Sequence, residues 1–158
     1  MSYEIRPALP SDVPEVLAMI RELAAYEREP DAVVATEAGL SAALFAPAPA
    51  VFCHLAGVHG ATAGMALWFL NFSTWLGGHG IYLEDLFVRP SHRGLGLGRA
   101  LLTTLTSLAN ARGYGRVEWS VLDWNEPAQG FYRSLGAEPM DEWTVWRLTD
   151  DALRGLGS

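Results

Sequence analysis

From residue 88 to residue 99 the chain reads Val-Arg-Pro-Ser-His-Arg-Gly-Leu-Gly-Leu-Gly-Arg, with glycine at 94, 96 and 98 and basic side chains at Arg89, His92, Arg93 and Arg99. Alternating glycines let a backbone turn tightly and present its N–H groups, and a helix that starts there adds the positive end of its dipole. Such a segment binds an anionic phosphate. Neither of two common nucleotide loops fits. A Walker A loop needs Gly-Lys-Ser/Thr, and counting from Gly94 puts Arg99 where a Rossmann fingerprint needs its third glycine. Just upstream, Glu84 stands in an apolar run, residues 81–88, where a charge is seldom buried without a partner or a task.

Periodicity supplies the elements that must carry these groups. Residues 3–8 read as a short strand stopped by Pro7 and Pro10. Ser11 then stands as the N-cap of a helix with Pro14 in its first turn, running to about residue 26. Its apolar positions Val13, Val16, Leu17, Ile20, Leu23 and Ala24 recur at three- and four-residue steps and make one buried stripe. Thr36 opens a second, shorter helix that breaks before the Ala-Pro-Ala-Pro segment at 46–49. Residues 51–58 and 63–72 form a hairpin about His59-Gly60, and 81–88 is a strand that feeds the glycine-rich turn. Residues 100–112 carry helical spacing at Leu101, Leu102, Leu105 and Leu108, with Gly113 as C-cap. A strand over 116–122, a short helix over 127–135 and a last strand over 143–148 complete an α+β fold with a mixed sheet and helices on its faces.

Composition narrows the function further. A chain of 158 residues, half of them apolar, with no linker or internal repeat, reads as one domain, 1–158. A net charge of -7 argues against the broad phosphate footprint that nucleic-acid binding requires. All 11 basic residues are arginine, so lysine Schiff-base chemistry is excluded. Cys53 is the only cysteine, and His54, His59 and His79 show no metal-ligand spacing, so neither a disulfide nor a metal site is expected. The start has no secretory signal, and the longest strongly apolar run, residues 65–70, is too short to cross a bilayer. A soluble cytoplasmic protein with no membrane partner is expected.

The glycine-rich segment resembles the pyrophosphate signature of the GNAT N-acetyltransferases, Arg/Gln-x-x-Gly-x-Gly/Ala, through Arg93, Gly96 and Gly98. Its flanks, residues 82–88 and 124–137, together with 5–8 and 22–27, are similar to the diamine acetyltransferase subfamily of spermidine/spermine and thialysine acetyltransferases. The resemblance spans nearly the whole chain. It implies a GNAT-like mixed, mostly antiparallel sheet with helices on both faces, acetyl-CoA as the acetyl-donor cosubstrate, a small-molecule amine as acceptor and a homodimer. By the same resemblance, backbone groups of Leu86, Phe87 and Val88 hold the pantetheine arm. The segment Arg93, Gly94, Leu95, Gly96, Leu97, Gly98 and Arg99 holds the phosphates, and Asn125, Pro127, Ala128 and Tyr132 complete the cofactor contacts. Tyr26, Glu27, Trp75, Glu84 and Asp85 align with the amine pocket.

The chemistry asks for these residue types. An amine with a pKa of about 10.4 is almost wholly protonated at neutral pH, so a base must take its proton, and Glu84 matches the subfamily's carboxylate. A phenol, with a pKa of about 10, can protonate a departing thiolate, and Tyr132 matches the family's general acid. Acidic residues that the subfamily places around a polyamine tunnel are replaced here by Ser73-Thr74 ahead of Trp75, and Glu142 is out of register. This favours a smaller acceptor such as thialysine, a lysine-like amino acid or a short diamine. A non-catalytic acyl-CoA-binding or sensing module and a protein N-acetyltransferase stand as alternatives.

Overall fold

The computed structural model describes residues 2–157, which fall into two compact units, one ending at Ser120 and one beginning at Val121. The first unit holds a five-stranded sheet in the order β1-β2-β3-β4-β5. Its strands are β1 (Glu4–Pro7), β2 (Phe52–Val58), β3 (Ala61–Ser73), β4 (Gly78–Val88) and β5 (Val117–Trp119). The first four are antiparallel neighbours and β5 runs parallel to β4, which makes the sheet mixed and mostly antiparallel. Pro7 is tolerated because β1 is an edge strand. His59 and Gly60 both take positive φ, 49° and 79°, and close the β2–β3 hairpin as its twist requires.

Helices cover both faces. On one, α1 (Val13–Tyr26) and α2 (Glu37–Phe45) bring Val16, Met19 and Leu44 onto Cys53, Leu55, Met65, Leu67 and Phe87. On the other lies α3 (Leu97–Arg112), which buries Leu97, Leu101, Leu102, Leu105 and Ala109. The Arg112 guanidinium lies 5.9 Å from the ring centre of Trp68, which in turn stacks on Phe52 at 4.6 Å. Trp68 Nε1–H donates to His54 Nδ1 at 3.1 Å, so the His54 ring is neutral and carries its proton on Nε2. Burial of the ring lowers its pKa.

Four sequence expectations change, the first being that the strand expected over 116–122 shortens to Val117–Trp119. The α1 N-cap is Asp12, not Ser11, because Pro10–Asp12 form a 3-10 turn first. There the Asp12 carboxylate accepts the Leu9 N–H at 2.7 Å and pairs with Arg6 at 2.7 Å. The α3 helix begins at Leu97 rather than at residue 100, so the last part of the glycine-rich segment is the helix's own first turn. In the second unit, α4 (Glu126–Ser134) and α5 (Asp150–Gly157) form, but the strand expected over 143–148 does not. Aromatic and β-branched residues give a segment strand propensity, yet a strand exists only in a ladder. Those residues are irregular, with Val145 and Trp146 85% and 91% exposed.

Candidate active site

Two features of β4 define the site. The first is a bulge: Leu67 pairs with Asp85 and the next residue, Trp68, pairs with Leu83, so Glu84 is the extra residue on β4. The second is a short parallel ladder. Only Ile81, Tyr82 and Leu83 pair with β5, through Val117, Glu118 and Trp119. Among the described residues, 84–88 therefore have β3 on one side and no strand on the other. Backbone groups of Leu86, Phe87 and Val88 belong to that open stretch.

The chain leaves β4 through Arg89 and a 3-10 turn, Pro90–His92, and reaches α3 through Gly94 and Gly96, whose φ values are 80° and 82°. A Cβ at either glycine would meet nothing within 4 Å. Glycine is required there for the left-handed backbone, not for room within the chain. Gly96 is the α3 N-cap and no side chain caps it, so the N–H groups of the first turn, which includes Leu97, Gly98 and Arg99, remain for a ligand. Leu97 is buried and anchors that turn. Arg99 and Leu95 are exposed. The Arg93 Nε–H donates to the Val88 carbonyl at 2.9 Å, and its guanidinium lies 5.3 Å from the Tyr26 ring centre and 5.8 Å from that of Phe87.

Three carboxylates meet near the bulge. Asp85 is pushed up from the ordinary 3.8 to about 6, chiefly by burial and then by the charges of Glu84 and Glu27. Glu27, the α1 C-cap, is raised by burial and by Glu84. Glu84 itself is exposed. Tyr26 is the last residue of α1, so the end of that helix and the bulge of β4 share one acidic spot. Trp75 does not join them. It lies in the β3–β4 turn, 80% exposed, and at about 3.3 Å per residue the tip is roughly 20 Å along the sheet from Asp85.

In the second unit, Asn125 is the N-cap of α4, its side-chain oxygen accepting the Ala128 N–H at 3.4 Å, and Pro127 lies in the first turn. Tyr132 sits on the same helix, its ring 5.4 Å from that of Phe131. Gln129 Nε2 donates to the carbonyls of Leu122 and Asp123 at 3.2 and 2.9 Å and fixes the chain entering α4.

Sequence reasoning missed some residues. Arg89, counted only among the basic groups of the loop, pairs with Glu15 and Glu22 on α1 at 2.8 and 2.9 Å. Asn71 Nδ2 donates to Glu118 at 3.2 Å, and the Tyr82 and Ser120 hydroxyls are 2.8 Å apart. No local pattern marks these pairs, whose members stand at least 38 positions apart.

A model of the Acetyltransferase (GNAT) family matches residues 16–137, from within α1 to just past α4. The chain belongs to the GNAT family of acetyltransferases. An L-ornithine N5-acetyltransferase from Arabidopsis thaliana is 33% identical over 99% of this acetyltransferase and 88% of its own length. A thialysine N-epsilon-acetyltransferase from Bos taurus is 35% identical over 96% and 95% of the two chains. Among solved structures, an integron cassette protein from the mobile metagenome of V. cholerae superposes with a TM-score of 0.82 at 28% identity, covering 99% of this chain and 98% of that one. The family match runs across both compact units and takes in the open edge of β4, the glycine turn, the acidic spot and α4. No helix among the described residues is long and apolar enough to cross a membrane.

Proposed function

We propose that this acetyltransferase moves the acetyl group of acetyl-CoA directly to a primary amine of a small diamine-type molecule: thialysine, a lysine-like amino acid or a short di- or polyamine. The observation that carries the reading is the meeting of Glu27, Glu84 and Asp85 beside the open edge of β4. Three carboxylates at one spot attract a cationic amine, and the exposed edge and glycine turn offer backbone donors to a long anionic cosubstrate. The curated relatives named for ornithine and thialysine act on molecules of that class.

Acetyl-CoA supplies a thioester whose acyl carbon accepts an amine. The N–H groups of residues 94–99 and the α3 N-terminus hold its phosphates, with Arg99 and His92 at the rim. The backbone of Leu86, Phe87 and Val88 takes the pantetheine arm as a strand would, and Asn125, Pro127, Ala128 and Tyr132 complete the cofactor's surroundings. Tyr26, Glu27 and Asp85 receive the amine, and Trp75, out at the β3–β4 turn, takes no part in holding a molecule of that size. Glu84 takes the proton of the ammonium, directly or through water, and Tyr132 Oη gives a proton to the departing sulfur. Residues 1–158 act as one catalytic domain in the cytoplasm. Two copies associate, a reading supported by the exposure of Val145 and Trp146; a monomer in sedimentation at micromolar concentration would remove that part.

An amine panel with acetyl-CoA-dependent thiol release tests the whole reading, with Tyr132→Phe as its sharpest arm. The substitution keeps the ring and removes the acid, so kcat should fall by about 10²- to 10⁴-fold at nearly constant acetyl-CoA affinity. Wild-type speed in that variant overturns the role of Tyr132. Tight acetyl-CoA binding without turnover of any amine overturns the enzyme reading in favour of a sensing module.

A further inference from the structure

Like charges do not gather unless something holds them, and Glu27 stands on a different element from Glu84 and Asp85. It closes α1, whereas they belong to β4. Repulsion among the three pushes the end of α1 away from the strand. Facing them are the Cys53 thiol on β2, which burial and the charges of Asp12 and Asp85 push up to about 12, and Arg93, stacked over Tyr26 and Phe87.

The end of β4 carries a counterweight. The Arg89 side chain is 22% exposed and engages all three of its nitrogens. Nη1 lies 2.8 Å from Glu15 Oε2 and donates to the Thr62 carbonyl at 3.0 Å. Nη2 donates to Glu22 Oε2 at 2.9 Å, and Nε to the same carboxylate at 3.2 and 3.3 Å. The Arg89 backbone N–H adds a bond to the Ala63 carbonyl at 2.8 Å. Glu15 and Glu22 are seven residues apart, two turns on one face of α1, and Tyr26 follows Glu22 by about one more turn. A planar fork grips that face at two levels while its base is bonded to β3, an arrangement a flexible ammonium would not reproduce.

We infer that Arg89 is a positioning residue for amine recognition, strapping α1 to the end of β4 so that Tyr26 and Glu27 are held beside Glu84 and Asp85 against their mutual repulsion. This rests on the acceptor site proposed above. The strap acts on the amine end of the reaction. The glycine turn, with its own left-handed residues and its buried Leu97, keeps its shape without it.

The test is steady-state kinetics of Arg89→Gln and Glu22→Gln, with kcat expressed per folded molecule and both KM values measured across pH. The expected result is a rise of roughly tenfold to a hundredfold in amine KM for Arg89→Gln and a smaller rise for Glu22→Gln, with acetyl-CoA KM nearly unchanged. The amine defect should shrink as pH falls towards 6, where Asp85 takes up its proton and the repulsion eases. A purely structural arginine would lower the folded fraction and leave both KM values and their pH dependence alone. Arg89→Lys should recover only part of the loss. Unchanged amine KM in both variants, an equal rise in both KM values, or a pH-independent defect overturns the inference. Glu22→Gln removes a half-exposed carboxylate and keeps the test alive if Arg89→Gln does not fold. Asp85→Asn in the same assay separates the two levels: if it leaves amine KM untouched, the acceptor site itself is misplaced, whereas an effect of Asp85→Asn without one at Arg89 or Glu22 removes the strap alone.

Discussion

Replacing Asp85 with asparagine should make the protein more stable above pH 7 and a poorer binder of amines. In the folded chain Asp85 keeps its proton to about pH 6, whereas an ordinary aspartate releases it near 3.8. Between those values the folded state binds more protons than the unfolded one, so stability falls as pH rises through the window and the whole penalty is present above it. The gap from 3.8 to about 6, at about 1.36 kcal/mol per pH unit, amounts to about 3 kcal/mol. Asparagine keeps the shape and cannot ionise, so urea denaturation at about pH 8 should show Asp85→Asn more stable by about 2–3 kcal/mol, allowing for residual solvation of the carboxylate. Near pH 4 the two proteins should converge. In parallel, amine KM should rise. An asparagine variant no more stable than wild type at pH 8, or equally favoured at both pH values, would refute the argument that burial and neighbouring charge hold this carboxyl under strain.

Gly96→Val places a β-branched residue at a φ of 82°, at a cost of about 1–3 kcal/mol, and should strongly weaken acetyl-CoA binding in calorimetry while the circular dichroism spectrum persists; unchanged affinity would remove the loop assignment. Gly80→Ala would set a Cβ 2.7 Å from Asn71 Oδ1 and 3.0 Å from the Arg116 carbonyl, so it should destabilise by about 1–3 kcal/mol, and an unaltered melting temperature would contradict that packing. His54 has a lowered pKa in the folded chain, so its contribution is complete above about pH 6.5 and is lost as pH falls below it. The stability difference between wild type and His54→Gln should therefore narrow between about pH 7 and pH 5, and a constant difference would show that the Trp68 bond does not depend on a neutral ring.

The parts of the site that were legible in sequence are those built from near neighbours. A strand ending at Val88, glycines at alternate positions and a helix with leucine spacing localised the glycine turn, and the glycines do take left-handed backbone at 94 and 96. The start of α3 was placed three residues late because Leu97, Gly98 and Arg99 read as loop by composition, although a buried Leu97 makes them helix. The Trp143 segment shows the limit of reading strands from residue type, since aromatic and β-branched residues favour a pleated surface but do not say whether a sheet edge will receive them. Arg89 shows another. Its charge looked like part of an anion site, and only the fold reveals Glu15 and Glu22 as its partners. Asn71 and Glu118 meet across the gap left by Gly80, which no spacing rule on either strand could announce.

The three-residue ladder between β4 and β5 also bears on how long a molecule survives. Of the main-chain groups along residues 84–88 that a neighbouring strand would cover, the Val88 carbonyl accepts the Arg93 Nε–H and no strand among the described residues pairs with the others. A cosubstrate that fills them binds the folded chain and not the unfolded one, and at a hundred times its Kd it adds about 2.7 kcal/mol. Proteolysis that proceeds through unfolding would slow by about a hundredfold under that load. Were the acyl donor to fill that edge, the half-life of the enzyme would rise and fall with its supply, and the quantity of catalyst would follow the quantity of reagent.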